Sequence, residues 1–184
     1  MSAPRSPVPD RPSRRATLQR LCGIVLLTLL SVPAARAGDR RVAPFTLPAL
    51  DGGRVDVGEF IGRDVVVLAF WATWCSCCLE ELPKLEVLTK SRPDLTIVTI
   101  NIDPPAQHTR AAAQMRRLRF DSLSLVDPEG RVVDIYNKQK KTPTLVLVDR
   151  RGVLRKTFTG YSPSEAEALT AEIDALLGET DDKR

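Results

Sequence analysis

Histidine is nearly absent from this chain, with His108 alone among 184 residues, and cysteine is confined to position 22 and the cluster 75, 77 and 78. Once Cys22 is set aside with the N-terminal leader, the remaining three have no distant partner for a structural disulfide, so these thiols serve chemistry or metal binding. The apolar run Leu21–Val32 has 12 residues, short of the roughly 20 needed to cross a bilayer core. No repeat at a period of 20–50 residues is evident, and no low-complexity tract follows residue 40, which excludes solenoids and arrays. At this length one ordinary domain with a full core is expected.

A one-sided charge is missing as well, although the whole chain carries +4. Residues 1–37 hold six arginines against Asp10 alone, a net +5, leaving 21 basic and 22 acidic residues in 38–184, a net −1. The basic balance belongs to the leader, and a nucleic-acid partner loses its electrostatic warrant. The Arg-rich start, the apolar run and Ala35-Arg36-Ala37 together read as a cleavable export signal over 1–37, processed after about Ala37. Cleavage discards Cys22 and leaves no membrane anchor; an uncleaved anchor is the competing reading. Ser13-Arg14-Arg15 with Leu18 partly matches a twin-arginine signal, from which Thr17 and Gln19 depart. The expected layout is a domain over 38–178 and a flexible tail over 179–184.

Within the domain, Phe45–Leu47 and Val55–Val57 flank Asp51-Gly52-Gly53, the pattern of an N-terminal β-hairpin. Val65–Phe70, Leu95–Ile102 and Thr144–Val148 are apolar and rich in β-branched residues, as strands buried on both faces must be. Helical stretches at Cys75–Lys90 and Pro105–Leu118 alternate with them, which predicts parallel βαβ units in an α/β fold. Val153–Thr159, after the Arg151-Gly152 turn, adds an antiparallel strand and makes the sheet mixed. Ser162-Pro163-Ser164-Glu165 is a capping box with Pro at the first helical position, opening a closing helix with Leu169, Ile173 and Leu176 on one face.

The segment Phe70-Trp71-Ala72-Thr73-Trp74-Cys75-Ser76-Cys77-Cys78 joins a strand to a helix start. Free N–H groups and the partial positive charge there favour a thiolate, so Cys75 is the expected nucleophile. At about 100° per residue Cys75 and Cys78 share a helix face, whereas Cys77 points elsewhere. Cys75 then attacks a substrate disulfide and Cys78 resolves the mixed disulfide, with an outside donor restoring the dithiol. Glu81, one turn beyond Cys78, is the candidate for proton exchange with it. Pro83 removes an N–H and crowds the Leu79 carbonyl, which predicts a distorted helix.

Trp-Ala-Thr-Trp-Cys followed by two residues and Cys, then Glu81-Leu82-Pro83, resembles the TlpA/ResA-type extracytoplasmic thioredoxin-like proteins of the broader redoxin group. Ala43–Pro48 with Asp51-Gly52, and Lys141-Thr142-Pro143-Thr144, resemble that group's N-terminal segment and its cis-proline loop. The resemblance covers about residues 42–177 and implies a thioredoxin-like fold with a central mixed sheet flanked by helices. It also implies thiol:disulfide oxidoreductase activity on protein substrates, a disulfide reductase of the periplasm fed by a membrane thiol-electron donor, with cytochrome c maturation as the setting. No cofactor beyond the Cys75–Cys78 disulfide is implied, and no metal. By position, Pro143 becomes a cis-proline facing the dithiol, with Thr142 offering backbone hydrogen bonds to an extended substrate segment; Trp74, flanking the dithiol, is read from its own character as a partly exposed substrate contact. Where thioredoxin has a buried aspartate before Phe-Trp this chain has Ala69, which leaves Glu81 as the substitute.

Cys77 departs from the family's usual proline. It stands as a partly exposed spare thiol, as an alternative partner in disulfide shuffling, or as a third soft ligand for Cu(I) or zinc. His108, read as a surface residue, completes a Cys3His set only at the cost of crowding three ligands into one turn. Lys138, Lys140 and Lys141 are read as a solvated loop, Trp71 as core, and Asp127-Pro128-Glu129-Gly130 as a plain turn. Two other functions compete: a thiol peroxidase, which Trp74 before Cys75 disfavours, and a non-enzymatic metal-binding protein.

Overall fold

A computed structural model describes residues 40–179. The expected export signal with Cys22 and its processing site, and the tail from residue 180, lie outside the described residues. β1 (Thr46–Pro48) and β2 (Arg54–Asp56) form the antiparallel hairpin, and Ala49 and Leu50 continue from it to bridge Leu125 and Ser124. The hairpin therefore covers a sheet edge that would otherwise stand open.

The main sheet comprises β3 (Val65–Trp71), β4 (Leu95–Asn101), β5 (Leu123–Val126), β6 (Thr144–Val148) and β7 (Leu154–Thr159), in the order β5-β4-β3-β6-β7. β3 is parallel to β4 and β4 to β5; β6 is antiparallel to β3 and to β7. The parallel β3–β4 pair is joined by α1 (Ser76–Ser91), and a tight turn at Asp149–Val153 joins β6 to β7. In that turn the Asp149 Oδ1 accepts from the N–H groups of Arg151 and Val153, both at 2.9 Å. Gly152 has φ +75°, and a Cβ there would stand 3.0 Å from Ile61 Cγ2, so both backbone and packing ask for glycine.

Period-two alternation sorts β3 into two layers. Val65, Val67, Ala69 and Trp71 pack with α1, α2 (His108–Leu118) and α4 (Pro163–Gly178), through residues such as Leu82, Met115 and Ile173. Val66, Leu68 and Phe70 face the opposite way, against the hairpin's Leu47 and α3 (Arg131–Tyr136). A strand buried on both faces must read as a continuous apolar run, which is why Val65–Phe70 was legible.

Three elements depart from the sequence expectations. β6, expected to continue the parallel alternation, runs antiparallel to β3, because no helical crossover of the βαβ kind returns the chain to the same direction before it. β5 is a four-residue strand with two half-buried positions, too short to stand out by periodicity. α3 follows the Asp127–Gly130 turn, and it forms because the Asp127 Oδ2 accepts from the N–H groups of Val132 and Val133 at 2.9 and 2.8 Å. That carboxylate caps a six-residue helix rather than closing a plain turn. The expected distortion at Pro83 does not interrupt α1, which runs unbroken from Ser76 to Ser91. At the start of α4 the Ser162 Oγ accepts from Glu165 N–H at 3.2 Å, as the capping box requires. Among the described residues no helix is long and apolar enough to cross a membrane.

Candidate redox site

β3 ends at Trp71, fully buried, and the chain turns through Ala72-Thr73-Trp74 before α1 begins. Cys75 is the residue that caps α1: its backbone is extended (φ −90°, ψ 95°) and its Sγ accepts from the Cys78 N–H at 3.2 Å. A sulfur thus fills the place that Ser, Thr, Asp or Asn usually takes. The N–H and the helix terminus that face this sulfur are groups that favour a thiolate once the disulfide is opened.

Cys75 and Cys78 are joined in a disulfide with a Cα–Cα distance of 5.3 Å, within the ordinary range. Both are buried, whereas Trp74 beside them is 63 % exposed. Cys77 is free and half-buried, and it corrects the sequence expectation. Its Sγ lies 3.5 Å from the Cys75 Sγ rather than pointing away. The reason is local: Cys75 stands outside the helix with extended dihedrals, so the 100° spacing does not apply across the 75–77 pair. The three sulfurs lie within 4.8 Å of one another.

Glu81 shares the buried face of α1 with Cys78 and is only 7 % exposed. Burial, and secondarily the charge of Glu165, pushes its carboxyl up to about 7, with Lys84 opposing. It lines a cavity of about 800 Å³ between α1 and α4, where Pro83, Val87 and Leu169 are also found. Lys84, on the same wall, donates from Nζ to the Tyr161 hydroxyl.

The Thr142–Pro143 peptide is cis. Pro143 directly precedes Thr144, which pairs with Phe70, so this peptide and the turn to Cys75 occupy the same end of the sheet. The loop before it is held by Asn137, whose Nδ2 donates to the Lys141 carbonyl at 2.7 Å while its Oδ1 accepts from Lys141 N–H at 3.2 Å. Lys138, Lys140 and Lys141 are exposed, and Lys140 stands 3.5 Å from Asp134.

His108 is half-buried rather than on the surface, with Nε2 3.2 Å from the Asp103 carbonyl oxygen. It is not part of the group formed by the three cysteines. Asp103 itself escaped the sequence reading. Its buried Oδ2 accepts from the Thr73 N–H at 2.8 Å and from Asn101 Nδ2 at 2.9 Å, pinning the turn two residues before Cys75. The available signal was the pair Asn101 and Asp103, two polar residues at period-two spacing where an apolar strand ends. Carboxyl ends of parallel strands are where sites gather. Asp103→Ala is expected to lower stability by about 2–3 kcal/mol, because two buried donors lose a charged acceptor. Asp103→Asn, which keeps an acceptor oxygen, should recover part of the loss in urea unfolding and in disulfide-exchange rate.

A mixed five-stranded sheet, a dithiol capping the helix after its central strand, and a cis-proline peptide at the same end define a thioredoxin-fold thiol:disulfide oxidoreductase. Residues 36–174 match the Redoxin family model, and the chain belongs to that family. It is 33% identical over 134 residues to the thioredoxin-like protein YneN of Bacillus subtilis, covering 71% of this chain and 76% of that one. It is 30% identical over 128 residues to the thiol-disulfide oxidoreductase ResA of Halalkalibacterium halodurans, covering 68% and 70%. Among solved structures, a putative thiol:disulfide interchange protein DsbE from Chlorobium tepidum superposes with a TM-score of 0.67 at 29% identity, covering 76% of this chain and 97% of that one.

Proposed function

We propose that the chain is a disulfide reductase acting on protein substrates in the periplasm, with cytochrome c maturation as its setting. The observation that carries the reading is the Cys75–Cys78 disulfide at the start of α1, with the Cys75 sulfur as the helix cap. In the reduced protein the Cys75 thiolate attacks one sulfur of a substrate disulfide, and the other sulfur leaves as a thiolate and takes a proton. Cys78 then loses its proton and attacks the Cys75 sulfur, which releases the second substrate thiol and closes the Cys75–Cys78 bond. Two electrons and two protons pass to the substrate.

Glu81, held near neutrality, is matched to accept the Cys78 proton and return it. Exposed Trp74, with Thr142 and Pro143 at the same sheet end, supplies the surface for an extended substrate segment. A membrane thiol-electron donor then reduces the disulfide again. The export-signal pattern of residues 1–37 supports the location, and the family resemblance supports the direction and the setting.

The test is to mix reduced protein with a peptide carrying an oxidised Cys-x-x-Cys-His haem-attachment motif, and separately with hydrogen peroxide. One pair of peptide thiols should appear for each Cys75–Cys78 bond formed, with no comparable peroxide consumption. Faster oxidation by peroxide would replace the reductase with a thiol peroxidase.

A further inference from the structure

The two-cysteine cycle leaves Cys77 unused, although its sulfur is in contact with the sulfur on which the cycle turns. Cys77 Sγ lies 3.5 Å from Cys75 Sγ, and it is half-buried where Cys78 is 1% exposed. Cys78 is packed among core residues that include Trp71 and Leu82. When a substrate is linked to Cys75, the Cys75–Cys78 bond is open, and two thiols flank the same electrophilic sulfur. The more accessible one belongs to Cys77.

We propose that Cys77 is a second resolving cysteine, so that a mixed disulfide on Cys75 has two intramolecular exits. The inference rests on the exchange reading above. Cys77 gives up its proton and its thiolate attacks Cys75 Sγ. The bond between Cys75 and the substrate breaks, the substrate sulfur leaves with the electron pair and takes a proton, and a Cys75–Cys77 disulfide forms. Cys78 then gives up its proton and its thiolate attacks Cys75 Sγ in turn; the Cys75–Cys77 bond breaks, Cys77 leaves as a thiolate that takes up a proton, and the buried Cys75–Cys78 disulfide is restored. This second step is an exchange within one molecule and needs no outside oxidant or reductant. Cys77 thereby relays the release of substrate from the accessible side of the site, and the resting disulfide remains the buried one.

The experiment uses full-length reduced protein carrying Cys22→Ser in every variant, so that no leader thiol reacts, in molar excess over Ellman's reagent, an aromatic disulfide whose thiolate is read by absorbance. Wild type and Cys78→Ser should each release two aromatic thiolates per reagent molecule, with the second release in Cys78→Ser within about tenfold of the wild-type rate. The Cys77→Ser/Cys78→Ser double variant should release one and hold the mixed disulfide on Cys75. Peptide mapping of oxidised Cys78→Ser should find Cys75 linked to Cys77. Cys78→Ala serves the same purpose if the serine variant does not fold, and acid quenching of the wild type should capture the Cys75–Cys77 species before it rearranges. Release of one thiolate by both Cys78 variants, with no Cys75–Cys77 species in the quenched wild type, overturns the proposal and leaves the exchange reading intact. Undiminished exchange by Cys75→Ser would instead overturn the exchange reading itself.

Discussion

Replacing Cys75 with serine is expected to lower disulfide exchange at least about a thousandfold, equivalent to about 4 kcal/mol of lost transition-state stabilisation. A serine hydroxyl is not ionised at neutral pH and does not form the mixed disulfide, so neither resolving thiol has a bond to break. The variant should nevertheless fold. Cys75 caps α1 by accepting the Cys78 N–H, and serine is among the best N-cap residues. A circular dichroism spectrum like that of the reduced wild type, together with absent insulin reduction, is the expected pair of results. Retention of more than a tenth of the exchange rate would take the nucleophilic role from Cys75 and overturn the exchange reading.

Glu81→Gln should change how stability depends on pH. The carboxyl titrates near 4.5 when unperturbed and at about 7 in the folded protein. Below the lower value it is neutral in both states and contributes no pH dependence. Between the two, the unfolded chain has released the proton while the folded one still holds it, so stability falls as pH rises. Above about pH 7 the full difference is lost, about 3 kcal/mol from a shift of about two and a half pH units. Urea unfolding at pH 5 and pH 8 should show that decline in the wild type and its absence in Glu81→Gln. The exchange rate of the variant should also lose its inflection near pH 7, because no carboxylate remains to take the Cys78 proton. A decline of equal size in both proteins would remove Glu81 from the account.

The catalytic segment was readable because its signals are local. A CxxC pair between an apolar strand and a helix start needs only neighbouring residues to be recognised, whereas the cis peptide at Pro143 was expected from the family resemblance alone. Glu81 was placed on the correct face by spacing alone, but spacing says nothing of what covers that face. Its 7 % exposure follows from the way the whole domain packs. Asp103 was invisible for a similar reason: the Thr73 N–H it holds is 30 residues away in the chain. β5 and α3 are too short for their periodicity to register, and each exists through partners elsewhere, β4 for the strand and the Asp127 carboxylate for the helix.

The sequence by itself determined that this chain carries a CxxC pair where a buried strand gives way to a helix, since strand runs and cysteine spacing express themselves between near neighbours. Only the tertiary structure decided that Glu81 is buried and titrates near neutrality, that Asp103 pins the approach to Cys75, and that Cys77 touches the reactive sulfur. The first two depend on contacts between elements distant in sequence. The third depends on the extended backbone at Cys75, which a helical spacing rule does not contain.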